Sequence, residues 1–139
     1  MTLEFKHPLT PMPSAATQNG SVLRAMTRGF FRQCPRCNGA SIFSGYLKVR
    51  HHCPACGLEL HHHRADDLPP YLTITIVGHV VVGLMLAGWN VWHLSDDVQY
   101  ALWPAMALVM SLALLPLIKG AVVGLQWALR MHGFGQLTD

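Results

Sequence analysis

The chain has 139 residues, of which 51% are hydrophobic and only 12% charged, and its formal net charge is +3. That length leaves room for no more than one ordinary domain, yet the composition changes sharply near Pro69-Pro70. Eight of the ten Lys and Arg lie within residues 1–68 and only Lys119 and Arg130 follow. The positive balance is therefore local to the first half, and it suits a membrane surface, an acidic partner or nucleic acid without choosing among them.

Residues 1–20 hold Pro8, Pro11, Pro13, Ser14, Thr17, Asn19 and Gly20 and little periodic apolar surface, so they read as a disordered tail. No apolar run precedes Val22, and a cleaved secretory signal is not expected. Over residues 21–33 the pattern is an amphipathic helix: Ser21 can cap it, and Val22, Leu23, Met26 and Phe30 gather on one face. Arg24, Arg28 and Arg32 follow at four-residue intervals, the arrangement of a helix lying against an anionic lipid surface. Packing of this helix on the module that follows, with its basic face in water, is the alternative.

Residues 34–64 are organised by Cys34-Pro35-Arg36-Cys37 and Cys53-Pro54-Ala55-Cys56, two hooks with fifteen residues between them that use all four cysteines. Four thiolates in two such pairs suit a closed tetrahedral Zn(II) site. Two disulfides are the alternative in an oxidising compartment, and a catalytic zinc would need an open position that four cysteines do not leave. Gly57 freely takes the left-handed conformation such a knuckle requires, and Asn38 tolerates it. Between the hooks, residues 41–50 predict two short strands around Gly45, completing a zinc ribbon in which Phe43, Tyr46, Leu47 and Val49 cover the metal or face the bilayer. His51, His52, His61, His62 and His63 flank the second hook. A metal relay through His61, His62 and His63 is conceivable, but neighbouring side chains of an extended segment alternate in direction, which favours a solvated loop.

Residues 65–131 read as a two-helix transmembrane hairpin. Asp66 and Asp67 precede Pro69-Pro70 in a helix-start pattern, with capping favoured over a catalytic carboxylate pair. Tyr71 to Trp92 gives 22 residues without a charge, enough to cross a hydrocarbon core about 30 Å thick at about 1.5 Å per residue. The first span is placed at about 70–93 and the second at about 100–118, joined by a polar loop carrying Asp96 and Asp97, with the helix able to continue to 130. The joining loop lacks Lys and Arg, while Lys48, Arg50, Arg64, Lys119 and Arg130 flank the opposite ends. Both termini and the ribbon are thus expected on the cytoplasmic side of a bacterial inner membrane, where a reducing compartment favours zinc. His79, roughly 12 Å into the first span, is a functional candidate, through helix packing or, less simply, as a metal pair with Met110. Gly78, Gly83, Ala87 and Gly88, and Gly120-x-x-x-Gly124, offer small faces that call for a larger membrane partner or self-association.

Taken together, Arg28-Gly29, Cys34-Pro35-x-Cys37, Ile42-Phe43-x-Gly45-Tyr46-Leu47, Cys53-x-x-Cys56-Gly57, Ala65-Asp66-Asp67-x-Pro69 and Gly78-His79 make the chain resemble a bacterial family of small zinc-ribbon membrane proteins, domain of unknown function 983, over about Arg28 to Ile118. Where that family usually has glycine after the first hook, this chain has Asn38. The resemblance implies a role beside cytochrome c oxidase, among whose subunits and assembly factors such proteins are often encoded. The functional expectation is a non-enzymatic zinc-binding accessory protein of a respiratory complex, touching lipid and a larger complex but not nucleic acid. The rivals are a metallochaperone or metal sensor handling copper or zinc through the histidines, and a membrane enzyme using Asp66 and Asp67.

Overall fold

A computed structural model describes residues 15–62, 67–89, 91–131 and 134, with the backbone alone for 15–20. Among the described residues three helices follow one another: α1, Ala15–Phe30; α2, Leu68–Trp89; and α3, Asp96–Ala128. Residues 1–14 of the expected tail lie outside the described residues, but its last part is helical, because α1 begins at Ala15, where Ala15 and Ala16 favour helix.

α1 ends sooner than its periodicity predicts. Arg32 takes a left-handed φ of 65°, its N–H donating to the Gly29 carbonyl while the Gln33 N–H donates to that of Arg28. This is a Schellman motif, which satisfies carbonyls the helix end would otherwise leave open. α3 closes in the same way, with Arg130 at φ 51° and the Arg130 and Met131 N–H groups on the Trp127 and Gln126 carbonyls. In both helices a residue with a positive side chain occupies the position where glycine is commonest, at the negative end of the dipole.

The ribbon between α1 and α2 is held by single antiparallel bridges, Gln33 with Ser41, Phe43 with Val49 and His52 with Glu59, instead of extended strands. The middle bridge belongs to the hairpin around Gly45, where the Arg50 N–H donates to Ile42 and the Ser44 N–H to Lys48. With so few ladder bonds, order rests on side-chain burial. Cys34, Ile42, Phe43, Cys53, Leu58 and Leu60 form one core with Ile118, Val122 and Val123 of α3.

α3 runs unbroken for 33 residues, about 50 Å at 1.5 Å per residue. The acidic residues read as loop, Asp96 and Asp97, are its first turn after the N-cap Ser95, where carboxylates meet the positive end of the dipole. All of its buried residues lie from Pro116 onward. There α1 crosses antiparallel, Gly29 against Gly120 and Ala25 against Gly124, so close that a Cβ on Gly29 would stand 2.1 Å from the Gly120 carbonyl oxygen. Ala25-x-x-x-Gly29 and Gly120-x-x-x-Gly124 thus form one small-residue crossing. The second of these faces, expected to receive a partner, is occupied by the chain's own first helix.

Pro116 creates a further need. Having no N–H, it cannot donate to the Leu112 carbonyl four residues earlier, and the Tyr46 hydroxyl from the ribbon donates there instead. The ribbon therefore completes the backbone of the helix it packs on. α2 packs on α3 through a face carrying Pro69, Thr73 and Val77. Both α2 and α3 are long and apolar enough to cross a membrane.

Candidate metal centre

Each hook is a turn closed by its own backbone. The Asn38 N–H donates to the Cys34 carbonyl and the Gly57 N–H to that of Cys53, each at 2.9 Å. Asn38 and Gly57 have φ of 56° and 71°, the left-handed conformation expected of them. The Cys34 and Cys53 N–H groups are tied to the carbonyls of Ala40 and Leu58. The Gly39 N–H donates to the Cys37 sulfur at 3.3 Å.

These turns bring the four sulfurs within 4.8 Å of one another. Two pairs cross between hooks, Cys34 Sγ with Cys56 Sγ and Cys37 Sγ with Cys53 Sγ, both at 3.7 Å. Four thiolates around a tetrahedral ion at about 2.3 Å stand about 3.8 Å apart, whereas a disulfide needs about 2.05 Å. The donor set fits a thiolate-bound ion with a closed sphere. Burial pushes the Cys34 thiol up to about 12 against the Cys37 and Arg36 backbone amides, and burial also raises Cys56. At Cys53 burial acts the same way but is outweighed by the Cys56 and Ala55 amides, which bring it down to about 7.

The arginines divide. Arg24 is exposed on α1. Arg28 Nη1 donates to the Pro35 and Arg36 carbonyls of the first hook, at 3.1 and 3.3 Å. Arg32, beyond the helix end, donates from Nη2 to Gly45 and stands over the Phe43 ring at 5.2 Å. The common stripe is interrupted at Phe30, and two of its three members brace the ribbon.

Asp67 is exposed directly ahead of α2 and its carbonyl accepts the Tyr71 N–H, while Asp66 and His63 lie outside the described residues. His79 is exposed on α2, its Nδ1 donating to the Thr75 carbonyl of its own helix at 2.7 Å. Ser111 likewise donates to Ala107, Thr75 to Tyr71 and Thr73 to Pro69. His61 and His62 meet a residue that sequence reasoning missed, Glu59, whose carboxylate lies 2.9 Å from His62 Nε2. That hydrogen bond is the chief reason the Glu59 carboxyl lies below its usual range.

A family described as "Protein of unknown function (DUF983)" matches residues 43–127, more than half of the chain. The chain belongs to the DUF983 family. The DUF983 match takes in Tyr46, the second hook, both long apolar helices and the Gly120-x-x-x-Gly124 face, and it begins after Cys34 and Cys37. No curated protein and no solved structure matches the chain. Tyr46 was the other functional contact hidden from the sequence, although Pro116 signals that a carbonyl one turn earlier lacks its donor.

Proposed function

We propose that this DUF983 chain is a non-enzymatic, membrane-anchored zinc protein that works by contact with a larger membrane complex. Zn(II) is the ion that a cytoplasmic set of four thiolates with a closed sphere selects. Bound there it fixes the ribbon, and through it α1, on the end of α3. The observation that carries the reading is an asymmetry in burial. The last third of α3 is covered by the chain itself, whereas the apolar stretches of α2 and α3 are only 22% and 28% buried, too little for core helices of a soluble domain. Leu72, Ile74, Ile76, Val82, Leu86 and Val109 lie exposed along them. Hydroxyls and the His79 ring turned back onto carbonyls of their own helix also suit a medium without water.

The proposed setting is a bacterial inner membrane with the ribbon and both termini on the cytoplasmic side, and the respiratory oxidase implied by the resemblance is the first partner to test. Solubilisation in a gentle detergent from a strain carrying the tagged chain at its native locus should give a species far larger than 15.4 kDa that contains oxidase subunits. Recovery of the chain alone would contradict the proposal. Labelling of cysteines introduced at Gly45 or Asp97 in intact cells, with the unsubstituted chain as background, should report these residues on opposite sides of the membrane.

A further inference from the structure

Leu60 is fully buried in the ribbon core, and its N–H donates to the His51 carbonyl at 2.8 Å. In an extended segment the residues on either side of an inward side chain point outward together, which puts Glu59 and His61 on one surface. The bridge between His52 and Glu59 holds that register. A turn at His61 and His62 then swings the His62 ring back to Glu59, leaving the two imidazole centroids 4.0 Å apart. One carboxylate oxygen and one nitrogen from each ring come within 4.8 Å of one another. The buried Phe134 meets the His62 ring edge-on at 5.9 Å and covers one side, while His61 is open to solvent.

We propose that Glu59, His61 and His62 form a second metal site, separate from the four cysteines, for a divalent first-row transition ion such as Zn(II) or Cu(II). Two imidazoles and a carboxylate are a nitrogen and oxygen donor set of intermediate softness, distinct from the thiolates. Three protein ligands leave a position open, the feature that separates exchangeable sites from closed structural ones. The His51 and His52 rings stand 6.3 and 5.8 Å from His61 on the same end of the ribbon, as further donors at the entrance. A surface ion pair, the simpler account of Glu59 and His62, does not require His61 beside it. The ribbon then carries one ion that is structural and one that exchanges. This inference does not depend on the membrane reading.

The test uses the full chain in detergent, its cysteine site filled with Zn(II) and free metal removed, titrated with Co(II). One further equivalent should bind, with ligand-field absorption and without the charge-transfer band of a cobalt thiolate. Glu59→Gln and His62→Ala should each weaken it at least about tenfold, the scale on which even outer-shell partners act. His61→Ala with His62→Ala should abolish it, and His93→Ala should leave it unchanged. Retention of the cysteine-bound zinc, counted in the same samples, reports that the ribbon is intact. Absence of a second equivalent in the parent chain, or its survival in the double variant, would overturn the proposal. Should the double variant lose its zinc, Glu59→Gln decides, and an unchanged affinity there overturns the proposal equally.

Discussion

Tyr46 supplies a hydrogen bond that Pro116 makes necessary, and the pair can be separated by mutation. Tyr46→Phe leaves the Leu112 carbonyl without a donor at little change in volume, at an expected cost of about 1–3 kcal/mol in the unfolding of the detergent-solubilised chain. In a Pro116→Ala background the helix supplies its own N–H, and the same substitution should cost much less, a coupling that a double-mutant cycle measures. At the metal centre the sign of the pH dependence is fixed by Cys34, raised to about 12, and Cys56, also raised. Both carry protons at neutral pH that an ion must displace, so apparent zinc affinity should rise with pH above pH ~7. Below that it should change more steeply, because Cys53, near 7, must also be deprotonated. Competition titrations at several pH values check both slopes. The hooks and their left-handed Asn38 and Gly57 were legible in the sequence because they depend on residues two to four apart. Glu59, though only three residues from His62, was not, because residues 61 and 62 form a turn where the sequence suggests an extended segment with alternating side chains.

The three helices respond differently to added bulk, according to what each glycine meets. Gly29, Gly120 and Gly124 face the backbone of the crossing partner, and alanine at any of them should destabilise the packing of α1 on α3 by about 1–3 kcal/mol. Gly78 and Gly83 have nothing within 4 Å, so alanine there should be neutral or stabilise the isolated chain by up to about 1 kcal/mol. Thermal unfolding in detergent distinguishes the two groups. A loss of complex formation by the Gly78 and Gly83 variants, with unchanged unfolding, would locate the partner on the outer face of α2. The long apolar helices were readable from hydropathy alone, and so was the small-residue motif of α3. Its pairing with Ala25-x-x-x-Gly29 was not, because that requires α1 to return across the end of a helix about ninety residues later. The early end of α1 escaped for a local reason: Arg32 adopts a conformation usually left to glycine, compensated by hydrogen bonding to Gly45 and stacking over Phe43.

At the scale of the whole molecule, one small core joins three separate stretches of sequence. Cys34 and Cys53 lie in it beside Ile42, Leu60, Val122 and Val123, so an ion held by the thiolates would order the same body as the apolar contacts. Among the described residues the ribbon has three isolated bridges, few backbone ladder bonds for a body of its size. Chelation of the metal should therefore release the ribbon and α1 to proteolysis while most of the helical circular dichroism, which comes from α2 and α3, persists. The central claim is that four thiolates around one ion fix this body to the hairpin. X-ray absorption at the zinc edge on the full-length chain, with exchangeable metal removed, tests it most directly. Four sulfur neighbours at about 2.3 Å, with one tightly held zinc per chain, are the predicted result. A first shell containing nitrogen or oxygen in place of any sulfur, or a protein that carries no tightly held metal, would contradict it.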